Sequence, residues 1–125
     1  MNKGRSRGVP RDTVTILRNK IRRFSEERDW DQFHSPKNLS MALAVEASEL
    51  MEHFQWLTEQ KSKRLDGKKK DSIEDEIGDV LIYLLRLSDK LGIDLLAAGD
   101  KKLTKNAAKY PVHKARGNAK KYTEF

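Results

Sequence analysis

The chain predicts an all-α fold. Apolar residues recur every three or four positions through each ordered stretch, no segment alternates with the two-residue period of a strand, and helix-capping residues stand just ahead of the periodic stretches. The expected architecture is a four-helix bundle.

Residues 1–11 hold Gly, Ser, Arg and Pro with little apolar content and read as a flexible leader. From an Asp12 cap, Val14, Leu17, Ile21 and Phe24 mark one face of a first helix reaching about Arg28. Ser35-Pro36, a cap followed by proline at the first helical position, opens a second helix expected to reach about Thr58. Residues 59–71 are rich in lysine, with Leu65 their one large apolar residue, and read as a solvated connection. Asp71-Ser72-Ile73-Glu74 resembles a capping box for a third helix, which Gly92 ends after Leu91. A fourth helix fits Asp94 to about Lys109, with Gly99 inside it and Pro111 beyond. The organisation is then a leader (1–11), a helical domain (12–111) and a basic C-terminal arm (112–125).

With 37% apolar and 36% charged residues in 125, a lone monomer has little core for its surface, which favours a homo-oligomer. The absence of cysteine excludes disulfides, thiolate metal sites and cysteine nucleophiles, leaving oxygen and imidazole as metal ligands. No run approaches the ~20 apolar residues of a membrane span and MNKGRSRGVP is not a signal peptide, so a cytoplasmic protein is expected. The net charge of +7 favours an anionic partner without choosing nucleotide, nucleic acid or lipid.

Two helices carry acids where apolar residues belong. Glu46 falls in the middle of the face made by Leu39, Leu43, Leu50, Phe54 and Leu57, with Glu49 at its edge; Glu52 points to solvent. The third helix is apolar nearly all round, from Ile77 to Leu87, yet Glu76 and Asp79 interrupt it and share one side with Tyr83. Glu74 and Asp75 suit a helix N-terminus and need no further role. Buried unpaired carboxylates cost several kcal/mol each or take up protons, so four converging acids ask for a divalent cation. Mg²⁺ accepts a few carboxylates and completes its shell with phosphates and water, which points to phosphoanhydride hydrolysis.

Two other classes compete. Eight cations and no acid between Lys101 and Lys121 could bind the phosphate backbone of nucleic acid without catalysis. Such a binder has no use for four inward acids. A di-iron redox bundle wants Glu-x-x-His, whereas His53 follows Glu49 by four residues and the third helix has no histidine. On spacing alone Trp30, Trp56 and Tyr83 also fit core or subunit-interface aromatics.

The ordered set Glu46-x-x-Glu49, Glu76-x-x-Asp79, Glu27-Arg-Asp-Trp-Asp-Gln-Phe-His34, Phe54-Gln-Trp56, Asp79-Val-Leu-Ile-Tyr83, Tyr110-Pro111 and Lys121-Tyr-Thr-Glu124 resembles the all-α MazG-like nucleotide pyrophosphohydrolases, in their dCTP pyrophosphatase branch. The likeness spans about residues 12–125. It implies hydrolysis of a deoxynucleoside triphosphate, dCTP or a modified dCTP foremost, to monophosphate and pyrophosphate, in sanitation of the nucleotide pool. It also implies Mg²⁺ on Glu46, Glu49, Glu76 and Asp79, and a homotetramer, a dimer of dimers, with sites formed between subunits. Residue by residue, Trp30, Asp31, Gln32, Phe33 and His34 would line the nucleotide pocket with Trp56 and Tyr83, while Lys102, Asn106 and Tyr110 would face phosphate or sugar. One departure is Ile21, which stands where eukaryotic members carry a substrate-contacting histidine.

Overall fold

The computed structural model describes residues 9–125, with side chains described from residue 13. Among these residues every regular element is helical: α1 (Val9–Glu27), α2 (Pro36–Glu52), the single-turn α3 (Glu59–Ser62), α4 (Gly67–Lys90), α5 (Leu95–Lys109) and the single-turn α6 (Val112–Ala115), with short 3-10 turns at Asp31–Phe33 and Tyr122–Glu124. The four long helices are the four expected, with several shifted ends. Helix α1 opens at Val9, three residues ahead of the expected Asp12 cap, and residues 1–8 of the expected leader lie outside the described residues.

The end of α1 is built by a left-handed residue. Asp29, at φ 54°, lets the Asp29 amide donate to the Glu26 carbonyl (3.0 Å) and the Trp30 amide to the Ser25 carbonyl (2.9 Å), so two terminal carbonyls are satisfied in a Schellman turn. The turn brings the Trp30 indole edge-on to Phe24, with ring centroids 5.6 Å apart. That apolar contact closes the motif and fixes the start of the segment 30–34.

Helix α2 starts as expected, with the Ser35 hydroxyl accepting from the Asn38 amide (3.1 Å) and Pro36 at the first position. It ends at Glu52, not near Thr58. Thr58 instead caps the next turn, its hydroxyl accepting from the Lys61 amide (3.1 Å), and a capping residue has the extended backbone that stops the preceding helix. The expected connection 59–71 is likewise mostly helical. Asp66 caps α4 by accepting from the Lys69 amide (2.7 Å), five residues ahead of the expected Asp71 start, while the Ser72 hydroxyl turns back to the Lys68 carbonyl (3.3 Å). Gly92, at φ 67°, ends α4 in the left-handed region that glycine enters without steric cost.

Two compact units divide the chain, one running to Gly92 and one over Ile93–Phe125. In the first, α2 packs mainly on α4, and α1 packs on α4 as well. Its buried apolar residues are Ile21, Leu39, Ile73 and Leu85, one or two from each long helix. Although α4 is apolar nearly all round, one chain does not bury it all round: Ile77, Leu81, Ile82 and Leu84 are exposed, as are Met41, Val45 and Met51 of α2. In the second unit, Asp94 caps α5 by accepting from the Ala97 amide (3.0 Å). The residues after α6 fold back so that Tyr122 and Phe125 pack edge-on against Tyr110. Among the described residues no helix is long and apolar enough to cross a membrane.

Candidate active site

Glu46 and Glu49 stand one turn apart on α2, Glu76 and Asp79 one turn apart on α4, and the close packing of these two helices turns sequence spacing into convergence. Carboxylate oxygens of Glu46, Glu49 and Glu76 all lie within 4.8 Å of one another. Glu46 and Glu76 are half-buried and Glu49 is exposed. One Glu76 oxygen, Oε2, is buried with no hydrogen-bond partner.

The charges are correspondingly uncomfortable. A hydrogen bond with Glu49, then burial, then the charges of Glu49, Asp79 and Glu76 push the Glu46 carboxyl up to about 7. Burial raises the Glu76 carboxyl, helped by Glu49 and Asp79 and opposed by His53. Asp79 is outside the 4.8 Å trio but close enough for its charge to act on both. Acids gathered around a buried, unsatisfied oxygen fit a hard divalent cation, and the donor set is all oxygen.

Asp79 also lines a cavity of about 400 Å³ between α1, α4 and the segment after α1. Its apolar walls are Ile21, Phe24, Trp30 and Ile82. Its polar groups are Lys20, Ser25, His34, Asp79, Tyr83 and Arg86. The volume and the mix of apolar walls with a few convergent polar groups suit a small organic ligand.

Arg86 holds one side of this cavity. Only 3% exposed, its guanidinium donates from Nε to His34 Nδ1 (3.1 Å), pairs with Asp31, and lies 3.6 Å from Asp89. Lys90 donates to the same Asp31 oxygen (2.5 Å), and Arg22 of α1 donates twice to Asp89 (2.5 and 3.0 Å). The Lys90 hydrogen bond, with the nearby cations, holds the Asp31 carboxyl below its ordinary value, and the Arg22 hydrogen bond does the same for Asp89. Burial lowers the His34 imidazole, and the charges of Arg86 and Lys90 lower it further against the opposing Asp31. Because Nδ1 accepts from Arg86, the proton of the neutral ring sits on Nε2, which leaves His34 a hydrogen-bond donor at the cavity.

The expected site residues therefore divide. Trp30, His34, Tyr83 and Asp79 line one cavity. Asp31 and Gln32 do not line it and make contacts within the fold: Asp31 ties the segment to α4, and the Gln32 amide donates to the Asp29 carbonyl and carboxylate (3.0 Å each). Phe33 is exposed, with its carbonyl accepting from Asn38 (3.0 Å). Trp56 is 88% exposed and is not one of the residues lining the cavity. Lys102, Asn106 and Tyr110 belong to the second unit, where Lys102 is exposed, the Asn106 carbonyl accepts from the Tyr110 amide (2.8 Å) and Tyr110 packs on Tyr122 and Phe125. Sequence reasoning missed Lys20, Phe24, Ser25, Ile82 and Arg86 as cavity residues. Arg86 had a signal, an arginine set between Leu84, Leu85 and Leu87.

A model of the MazG-like family matches residues 41–125, the stretch that carries all four acids. The chain belongs to the MazG-like family. Among MazG-like relatives, dCTP pyrophosphatase 1 of Mus musculus is 42% identical over 118 residues, covering 93% of this chain and 69% of the relative. That of Homo sapiens is 40% identical over 124 residues, covering 98% and 73%. These alignments extend well ahead of Met41, where the family model begins. In three dimensions this MazG-like chain resembles a pyrophosphatase from Archaeoglobus fulgidus, with a TM-score of 0.75 and 38% identity over 79% of this chain and 93% of that one.

Proposed function

We propose that the chain hydrolyses deoxynucleoside triphosphates, dCTP or a modified dCTP foremost, to the monophosphate and pyrophosphate, with Mg²⁺ held by Glu46, Glu49, Glu76 and Asp79, and that it thereby clears the nucleotide pool. At the level of class it is a nucleotide pyrophosphohydrolase of the MazG-like kind. The single observation that carries the finer reading is the acid cluster with its unsatisfied Glu76 oxygen, joined through Asp79 to a cavity lined by Trp30 and Tyr83. The names of the relatives favour dCTP.

Bound Mg²⁺ supplies electrophilic stabilisation of the charge that builds on the phosphate oxygens. The chain does the rest. Trp30 offers an aromatic face to the base, His34 donates from Nε2 to an acceptor on the nucleotide, and Arg86 keeps that imidazole oriented. A carboxylate of the cluster takes the proton of the attacking water as the new P–O bond forms at the α-phosphorus and the bond to the β-phosphate oxygen breaks.

The surface of the first unit supports an assembly. Exposed Ile77, Leu81, Ile82 and Leu84 on α4, with Met41, Val45 and Met51 on α2, are apolar side chains that one chain leaves in water, as a subunit interface would use them. In this reading the chain forms a homotetramer, a dimer of dimers. Trp56 then contributes to a site shared between subunits, and Lys102, Asn106 and Tyr110 bind phosphate or sugar. With no membrane-spanning helix among the described residues, the cytoplasm is the proposed location.

Pyrophosphate and nucleoside monophosphate are to be quantified from each canonical triphosphate and from 5-methyl-dCTP, with Mg²⁺ and with EDTA. Stoichiometric monophosphate and pyrophosphate, dependent on Mg²⁺ and highest for a deoxycytidine substrate, is the expected result. Release of orthophosphate, or salt-sensitive nucleic-acid binding by the Lys101–Lys121 run without turnover, defeats the proposal.

A further inference from the structure

Ser25 is 2% exposed, lies on the last turn of α1 and lines the cavity. Other helical serines in the chain turn their hydroxyls onto a carbonyl of their own helix: Ser40 to Lys37, Ser48 to Ala44, Ser62 to Glu59, Ser72 to Lys68 and Ser88 to Leu85, at 2.6 to 3.3 Å. Among the described residues, nothing hydrogen-bonds the Ser25 hydroxyl. Nor is its oxygen sealed away, since the sealed unpartnered side-chain atom among those residues is Glu76 Oε2. The open space that Ser25 lines is the cavity.

A nearly buried hydroxyl without a protein partner takes its hydrogen bond from a ligand or from water. We propose that the Ser25 hydroxyl is a specificity-determining group that hydrogen-bonds the edge of the nucleobase held in this cavity, an inference that rests on the nucleotide reading above. The base, not the phosphates, is assigned to this part of the cavity because Ser25 sits among Ile21, Phe24 and Trp30. Ile21, four residues earlier on the same face of α1, offers no polar atom, and Lys20 is solvent-exposed. The buried polar reading from α1 therefore falls to Ser25. A hydroxyl can donate or accept, so the fixed donor on His34 Nε2 restricts which base edge fits.

The test compares the full-length wild type with Ser25→Ala, and with Ser40→Ala as a control whose hydroxyl bonds its own helix. Calorimetric titrations with dCMP, dUMP and dTMP in EDTA measure base binding without turnover. The expected result is a wild type that prefers one base, and a Ser25→Ala variant that binds it roughly 2- to 13-fold more weakly, with the differences between bases flattened. The ligand-free Ser25→Ala protein should melt at or slightly above the wild-type temperature, since no bond within the fold is lost. Unchanged affinities and base order, a melting point several degrees lower, or a wild type that binds none of the three overturns the assignment. Triphosphate hydrolysis is measured alongside. Base-selective monophosphate binding without pyrophosphate release would defeat the catalytic reading and leave Ser25 in place.

Discussion

Replacing Glu46 by Gln should stabilise the metal-free protein and abolish its turnover. The glutamine amide mimics the protonated carboxyl: it keeps a donor toward Glu49 and removes one charge from the cluster. Glu46 titrates at about 7 in place of 4.5. At about 1.4 kcal/mol per pH unit the folded state gives up at most ~3.5 kcal/mol when this group ionises. Water reaches the cluster through exposed Glu49, which screens the charges and brings the expected gain to ~1–2 kcal/mol. The sign follows from proton binding. A carboxyl raised in the folded state holds its proton more tightly there than in the unfolded chain, so stability is fullest below pH 4.5 and falls as the pH rises to about 7. In EDTA at pH 8 the Glu46→Gln variant should therefore melt roughly 3–10 °C above wild type, and the two should converge near pH 4. With Mg²⁺ the order should reverse, because wild type gains binding energy that the variant lacks. Scanning calorimetry across pH, with and without Mg²⁺, measures both. A variant less stable than wild type in EDTA at pH 8, or one that keeps near-normal turnover at limiting Mg²⁺, would refute the reasoning.

Arg86→Met should raise KM for the preferred nucleotide, since His34 Nδ1 loses the donor that sets its tautomer; it should also lower stability by ~1–3 kcal/mol, less than the ~3–5 kcal/mol typical of a broken buried pair, because Asp31 keeps Lys90 and Asp89 keeps Arg22. Steady-state kinetics and urea titration report the two effects, and an unchanged KM would reduce Arg86 to a purely structural residue. Trp56→Ala should leave the fold intact, since the indole is 88% exposed, and raise KM more than it lowers kcat, with a loss of ~1–3 kcal/mol if the base stacks on it. The same KM in the variant would remove Trp56 from the site. Arg22 holds the Asp89 carboxyl below its ordinary value, so this pair should stabilise the fold fully above the unfolded carboxyl pKa and cease to do so as the pH falls through the lower folded one. The melting-point gap between wild type and Asp89→Asn should therefore close on acidification below pH 4, and a constant gap would contradict it.

Much of the candidate site was legible because a helix converts sequence spacing into direction. Glu46 among Leu39, Leu43 and Leu50, and Asp79 interrupting a helix that is apolar nearly all round, mark inward acids in the sequence itself. Ser35, Asp94 and Gly92 mark helix ends through local capping and backbone sterics, and the structure uses all three as expected. Thr58 and Asp66 are capping residues of the same kind, yet their helices are one turn long or begin with lysines, so periodicity gave them no support.

The sequence alone determined the helical class and the residues able to hold a cation, because both depend on contacts within about one helical turn. Tertiary structure decided which acids meet, that Asp79 lines the cavity while only its charge reaches the carboxylate trio, and that Arg86 reaches Asp31 and His34 more than fifty positions away. It also separated Ser25 from the chain's other serines. Such pairings depend on how α1 and the segment after it settle on α4, and no periodicity along one helix specifies where a side chain of another will lie.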